Sequence, residues 1–198
     1  QSEVLKDPKQ SPENVWQRFF ESNRWIFGYG LLYISTQGIF NDKLEKTIKG
    51  GSITGGGSRP DALLKTLGAL STLCLVEIKT HETPLLEKKM RGGSYLISKE
   101  LNDAVSQCQT AISAAEDQIR QKLQPRDNEG FPFSEPIYNF RPRSILVIGD
   151  SSEFKNQNGV SEDRFKAFEM YRKNLISPEI ITFDELLGRA NSLVENRN

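Results

Sequence analysis

The chain has 198 residues and a mass of 22.4 kDa, and its 26 Lys and Arg balance 26 Asp and Glu to a formal net charge of zero. This length predicts one compact domain, which we place at 11–198 after a flexible polar segment at 1–10. Without a basic excess, the simplest electrostatic argument for nucleic-acid binding is missing, although local basic segments can still contact phosphates.

The cysteines and the lengths of the apolar segments indicate in which cellular compartment the protein is found. Cys74 and Cys108 lie in apolar stretches without CxxC spacing, which is typical of buried thiols in a reducing environment. The apolar stretches are far shorter than the ~20 residues that span a bilayer. We therefore expect a soluble, cytoplasmic protein without a membrane partner. Because residue 1 is Gln, we also expect a piece of a longer protein whose amino-terminal region is missing.

The first half of the chain predicts a helix followed by strands. Ser11, Pro12 and Glu13 supply a cap residue, a proline in the first turn and an early acid, so a helix begins here. The predicted elements in order are a helix at 11–23, a strand beginning near Gly30, a glycine-rich loop at 50–58, a hairpin of strands 59–67 and 72–80 turning near Gly68, and a loop containing Pro84, Gly92 and Gly93.

The second half predicts alternating helices and strands. Apolar residues at three- and four-residue steps predict a long helix over 99–123. The elements that follow are a proline-rich loop at 124–143, a buried strand at 145–148, a helix at 162–174, a short strand at 179–182 and a helix at 183–194. This order predicts an α/β fold, with a mixed central β-sheet flanked by helices.

The predicted strand 72–80 carries two charged residues on a face that is otherwise apolar. Alternate residues of a strand share a face, so Glu77 and Lys79 continue the face that begins with the apolar Leu73 and Leu75. An unpaired charge on a buried face costs several kcal/mol. Either this is an exposed strand end with a surface ion pair, or the charges belong to a functional site.

Asp61 favours the functional site. The predicted hairpin would bring Asp61 close to Glu77 on the neighbouring strand. Two adjacent carboxylates repel each other unless a cation lies between them, and Mg²⁺ binds one or two carboxylates together with substrate phosphate oxygens. Lys79 beside that cation could position or deprotonate a water molecule. Such a site suits phosphodiester hydrolysis.

These residues resemble a known family. Pro60 and Asp61, followed by Glu77, Ile78 and Lys79, resemble the PD-(D/E)xK signature of restriction-endonuclease-like nucleases. The wider similarity, over about 11–190, is to the nuclease domain of the Shedu antiviral-defence proteins, and it is carried by 20–28, 59–64, 76–86, Arg91 and the helix bearing Gln107.

The resemblance implies a metal-dependent DNA endonuclease domain that forms a homo-oligomer and acts against phage DNA. By position, it implies Asp61, Glu77 and the carbonyl of Ile78 as ligands of Mg²⁺, with Mn²⁺ as the alternative metal. It implies Lys79 as the catalytic lysine. It also implies a regulatory region preceding the domain.

Further site residues follow from the same resemblance. Glu13 on the first helix is the candidate third carboxylate, with Glu21 behind it, and the alternative for Glu13 is a favourable interaction with the helix dipole. Gln107 falls where relatives often carry a glutamine on the helix that follows the E-x-K strand, and its place at the edge of the apolar stripe would let it reach the site. An ordinary polar residue flanking that stripe is the alternative. We predict both in functional roles.

DNA contacts are predicted just after the catalytic strand. The basic side chains Lys88, Lys89 and Arg91 are candidates for phosphate contacts, and a solvated loop is the alternative. His81, the one histidine of the chain, lies just beyond Lys79 and either contacts DNA or is a plain loop histidine.

Two other functions stay open at this point. The domain could be a catalytically silent nuclease fold that binds DNA or mediates oligomerisation, although such domains usually lose a catalytic residue and this sequence retains all three. A metal-dependent hydrolase acting on a small phosphorylated substrate would instead require an enclosed cavity beside Glu77.

Overall fold

A mixed β-sheet forms the centre of the protein. The computed structural model describes residues 15–16, 19–20, 23, 26, 33–35, 62–66, 70–92, 94–127, 129–132 and 134–195. The sheet strands are β1 (Tyr33–Ser35), β2 (Ala62–Thr66), β3 (Ser71–Ile78), β6 (Lys122–Leu123), β7 (Ile137–Val147) and β10 (Glu179–Ile181). Among the described residues, two small hairpins lie outside this sheet, formed by β4 (Leu86–Arg91) with β5 (Ser94–Ile97) and by β8 (Lys155–Asn156) with β9 (Gly159–Val160).

The sheet combines an antiparallel and a parallel half. Its order is β1-β2-β3-β7-β10, with β6 pairing the beginning of β7. The neighbours β1, β2 and β3 run antiparallel, whereas β3, β7 and β10 run parallel to one another. Parallel strands are covered on both faces and are therefore rich in apolar residues throughout, which explains why β3 is buried from Leu73 to its end.

Helices cover both faces of the sheet. The three helices that are described continuously are α1 (Lys99–Ile119), α2 (Glu162–Asn174) and α3 (Phe183–Glu195). On one face, α1 and α2 pack over a set that includes Leu73, Leu75 and Leu146. On the other face, α3 and the helical residues Trp16, Phe19 and Phe20 pack over the alternate set, Cys74, Val76 and Ile78. The predicted α/β fold with a mixed central sheet is confirmed.

Buried polar side chains fix both ends of α1. At its beginning, Ser98 Oγ accepts a hydrogen bond from Leu101 N at 3.0 Å, an ordinary N-cap. At its end, the buried Asn139 on β7 donates from Nδ2 to Ala115 O at 2.8 Å and to Arg120 O at 3.1 Å. Asn139 therefore ties the last turn of α1 and the residue that follows it to β7.

A bulge in β7 accompanies this cap. Thr72 pairs with Tyr138, but Cys74 pairs with Arg143, so β7 contains extra residues between these two points. Within the extra segment Arg141 adopts a positive φ of 49°. Such bulges bend a strand, and Asn139, two residues after Ile137 on the face that packs against α1, donates to that helix.

Most predicted elements have close counterparts. The predicted hairpin 59–67/72–80 corresponds to β2 and β3, the predicted helix 162–174 has the bounds of α2, and α3 and β10 differ from prediction by one residue. Strand β1 lies within the predicted strand region, and the described residues of 11–23 include helical ones. The glycine-rich loop 50–58 lies outside the described residues.

Two predicted loops are wrong, and one helix is shorter than predicted. The loop at 124–143 ends early because β7 begins at Ile137, and the region after Pro84 forms the β4–β5 hairpin. The helix predicted to Leu123 ends at Ile119, where Arg120 takes a positive φ of 55°, and β6 follows. For β6 and the first half of β7, pairing with other strands overrides the local pattern. The β4–β5 hairpin is a local pairing whose two-residue connection was interpreted as part of a longer loop.

The two thiols are buried, as predicted. Cys74 and Cys108 are both free and lie within the core. Burial raises the pKa of the Cys74 thiol to about 12, so the reactive thiolate is suppressed. Separately, none of the helices among the described residues has the length and apolar character needed to cross a membrane.

Asn139→Ala should lower the free energy of unfolding by about 1–3 kcal/mol, because it removes a buried hydrogen bond to Ala115 O and a part-buried one to Arg120 O. Urea unfolding followed by circular dichroism measures the change. Asn158→Ala, at an exposed hairpin position, is the matched control and should stay within about 0.5 kcal/mol of the parent. Equal stabilities of the two variants would contradict the capping role.

Candidate functional site

The parallel strands end together at one edge of the sheet. Ile78 pairs with Val147, and Val147 pairs with Ile181, so β3, β7 and β10 finish side by side. In open α/β sheets, ligands bind in the crevice beyond the carboxyl ends of such strands. The predicted Glu77 and Lys79 lie at this edge.

The structure brings Glu77, Lys79 and Gln107 together. Lys79 Nζ lies 2.8 Å from Glu77 Oε1 and donates to Gln107 Oε1 at 2.9 Å. Glu77 is only 7% exposed, whereas the Lys79 side chain is 23% exposed. A largely buried carboxylate is stable only when paired, and the exposed fraction of Lys79 leaves its ammonium within reach of solvent.

Gln107 lies on α1, at the margin of the row of buried residues that faces the sheet. Ala104, Cys108 and Ala111 face the sheet and are buried, and the half-buried Gln107 lies at the margin of that stripe. Its amide oxygen faces Lys79, while its amide nitrogen makes no hydrogen bond within the described part of the chain. This orientation leaves N–H donors available at the same place.

The Glu77 carboxylate has a second oxygen that could bind a metal ion. Its Oε1 accepts from Lys79, and Oε2 makes no hydrogen bond to any described residue. Mg²⁺ typically takes one or two protein carboxylates and completes its shell with waters and phosphate oxygens. The donor set of Glu77 therefore fits a hard cation beside Lys79.

The other predicted metal ligands are less well defined. Asp61 and Glu13 lie outside the described residues, as does the second choice, Glu21. The side chain of Ile78 packs into the core on the face opposite Glu77, so its backbone carbonyl is the only part that could serve a metal. Within the described ranges, no three His, Cys, Asp or Glu side chains come together as a metal-binding group.

A tight turn at 80–83 follows the catalytic lysine candidate. Lys79 N donates to Val147 O at 2.8 Å, and Gly149 N donates to Thr80 O at 3.0 Å, so the segment after β3 is tied to the segment after β7. A Cβ on Gly149 would lie 2.6 Å from Leu85 Cδ2 and 2.9 Å from Thr83 O. Sequence reasoning missed Gly149, although a Gly-Asp pair directly after a buried strand is a usable signal for a close approach.

The predicted DNA-contacting residues fall into two places. Lys88 is exposed on β4, and Lys89 and Arg91 lie on the same strand, where only their backbone is described. His81 packs its ring edge-on against Trp16 and Phe183, at centroid distances of 5.9 and 6.1 Å. Its aromatic neighbours belong to the sheet face opposite Glu77.

Two concavities are lined by described residues. One, of about 460 Å³, is lined mainly by aromatic and apolar side chains around His81, and the other, of about 470 Å³, lies around Arg143 and Arg172. Neither lining includes Glu77, Lys79 or Gln107. The enclosed cavity beside Glu77 that a small phosphorylated substrate would need is not among them.

The protein has a mixed sheet flanked by helices, and an acid, a lysine and a glutamine meet at the end of the central strand. This arrangement is consistent with an α/β nuclease-like fold. The chain belongs to the Shedu family, since residues 10–187 match the family described as Shedu protein SduA, C-terminal. It is 27% identical over 187 residues to the Shedu protein SduA of Bacillus cereus (strain B4264). That match covers 92% of this chain and 46% of the relative, so the chain spans about half of that protein's length.

Gly149→Ala should destabilise the protein more than Gly92→Ala. Both glycines have a positive φ, +64° and +59°, but only at Gly149 would the new Cβ meet neighbouring atoms. The backbone strain, about 1 kcal/mol, is shared, so the difference in unfolding free energy reports the packing of the turn at 80–83. We expect an additional loss of about 1–3 kcal/mol for Gly149→Ala, measured by urea unfolding. Indistinguishable variants would show that this contact is not rigid.

Proposed function

We propose that this chain is a metal-dependent DNA endonuclease domain that acts in bacterial defence against phage. The observation that carries the proposal is Lys79 Nζ held between Glu77 Oε1 and Gln107 Oε1 at the carboxyl edge of the parallel strands. Membership of the Shedu family supports it and suggests the antiviral role. The phage target, the homo-oligomer and a preceding regulatory region stay predictions.

Asp61 is the proposed second carboxylate. Ala62 on β2 pairs with Val76, the residue before Glu77, and Asp61 directly precedes Ala62 in the sequence. Together with Glu77 Oε2, the carbonyl of Ile78 and Glu13, it would hold Mg²⁺ or Mn²⁺. When bound, such a cation lowers the pKa of a coordinated water and neutralises charge on the scissile phosphate.

The side chains of this chain have separate roles in the proposed reaction. Glu77 holds Lys79 Nζ near the edge of the sheet, and the partly exposed ammonium can orient the attacking water or exchange a proton with it. Gln107 fixes Nζ from the helix side through its oxygen, and its N–H groups, which bond no described residue, can donate to a phosphate oxygen. We propose that Lys88, Lys89 and Arg91 on β4 contact the DNA backbone.

Among the residues that the sequence predicts to contact DNA, His81 has the least support. Its ring packs against Trp16 and Phe183, and its Nε2 lies 3.9 Å from Glu82 Oε1. These contacts favour a role in the aromatic cluster. We therefore leave His81 out of the proposed DNA-binding surface.

Lys79→Ala should reduce metal-dependent nicking of supercoiled plasmid by about 10²–10⁴-fold, the usual contribution of a positioned acid–base group. The assay compares Mg²⁺, Mn²⁺ and EDTA, and a thermal melt confirms that the variant is folded. Lys99→Ala is the matched control, because Lys99 is an exposed lysine on the surface of α1 whose partner is Asp103. We expect the control to retain full activity.

Undiminished nicking by Lys79→Ala would refute this catalytic role. If the parent chain does not cleave, divalent-ion binding separates the remaining possibilities. Binding that is weakened by Asp61→Ala would indicate a formed site that awaits another region or assembly. No cleavage and no metal binding would instead favour the catalytically silent module that binds DNA or mediates oligomerisation.

Gln107→Leu should lower the cleavage rate by about tenfold or more while leaving divalent-ion affinity unchanged, because the hydrogen bond of Gln107 at this site goes to Lys79 and, among the described residues, not to Glu77. Gln107→Glu should shift the alkaline limb of the pH–rate profile upward, since an added carboxylate raises the pKa of a neighbouring lysine. Gln109→Leu, on the same helix but bonded to Ser177 O, is the control. Identical profiles for parent and Gln107→Glu would exclude the positioning role.

A further inference from the structure

An aromatic cavity lies on the sheet face opposite Glu77. Its volume is about 460 Å³, within the range of small-molecule sites. The described residues that line it are Trp16, Phe19, Phe20, Ile26, His81, Asp150, Phe183, Asp184, Leu186, Leu187 and Ala190. The proposed nuclease chemistry uses none of them.

Rings at different angles surround this cavity. Trp16 and Phe183 lie 4.8 Å apart between ring centroids with planes inclined by 56°, and Trp16 and His81 lie 5.9 Å apart at 70°. Phe20 stacks on Trp16 at 5.9 Å with an inclination of 24°. These rings form one cluster that lines the cavity, and the face of an aromatic ring is its negative side.

Two carboxylates complete the lining. Asp184 accepts hydrogen bonds from Ser151 N at 2.9 Å and from Ser151 Oγ at 2.5 Å. Although burial acts to raise the pKa of Asp184, these hydrogen bonds outweigh it and leave the pKa below its ordinary value. Asp150 accepts from Ser152 N through Oδ1, and its Oδ2 makes no hydrogen bond within the described part of the chain.

The lining is therefore negative as well as aromatic. Apart from His81, none of the described lining residues is basic. Aromatic faces attract cations, most strongly where water is excluded, and ionised carboxylates add to the attraction. An anionic ligand would meet repulsion from Asp150 and Asp184. A neutral apolar ligand would leave the two charges without a counterpart.

We propose that this cavity binds a small organic cation, held against Trp16 and Phe183 with its charge opposite Asp150 and Asp184. The ligand class is a guanidinium or a substituted ammonium with an apolar body. Because His81 is two residues beyond Lys79, the bound cation would contact the turn that follows the proposed catalytic lysine. The proposal itself does not depend on nuclease activity.

Isothermal titration calorimetry tests this without DNA or divalent ions. The probes are butylguanidinium and benzyltrimethylammonium, and butylurea is the neutral control that matches butylguanidinium in shape. We expect saturable binding of at least one cation at one site per chain and at least tenfold weaker binding of butylurea. Absence of saturable binding of both cations, or equal binding of butylguanidinium and butylurea, would overturn the proposal.

Variants locate the site. Asp150→Asn removes the charge but keeps a residue able to cap the following turn, and it should weaken cation binding by about tenfold. Trp16→Leu should weaken it to a similar degree. Asp127→Asn is the control, because Asp127 also accepts backbone hydrogen bonds, from Glu129 and Phe131, and does not line the cavity. Binding that survives both Asp150→Asn and Trp16→Leu would place the ligand elsewhere and reject the cavity.

Discussion

The buried charge of Glu77 is the constraint on which the candidate site depends. Glu77 belongs to a strand that is covered on both faces, so its carboxylate needs a cation within hydrogen-bonding distance. Lys79 supplies that cation from the same strand face, and Gln107 accepts a further hydrogen bond from it across the sheet–helix interface. Because one partner comes from α1, the packing of that helix on the sheet also sets the geometry of the site.

The surroundings of this site are held by similar long-range contacts. The end of β3 is tied to the end of β7 through Lys79 N and Val147 O, and the turn at 80–83 is tied to Gly149. Glu153 holds the next segment by accepting from Leu85 N at 2.7 Å and from Arg164 Nη2 at 2.9 Å. The lysine therefore extends from backbone that is restrained on both sides, which suits a group that must be positioned accurately.

Alternation along one strand was enough to predict the central part of the site. It placed Glu77 on the face of Leu73 and Leu75, and the separate core clusters confirm that division. The first half of β7 was missed because it forms by pairing with β3 and β6. The β4–β5 hairpin is local, and it was missed because Gly92 and Gly93 between its strands were interpreted as part of a loop. The contact of Lys79 with Gln107 joins residues 28 positions apart, so spacing alone could not establish it. Gln107 was indicated by the family resemblance together with its place at the edge of the helix's apolar stripe.

The two faces of the sheet carry different chemistry, and the turn at 80–83 joins them. On the α1 face, polar groups surround Glu77, whereas on the α3 face aromatic rings surround His81. Lys79 and His81 are two residues apart, and Thr80 between them accepts the hydrogen bond from Gly149. A change in the packing of His81 must either move this turn or be absorbed by the aromatic cluster. Since Gly149 leaves no room for a Cβ between Leu85 and Thr83 O, the turn is closely packed and has little freedom to move.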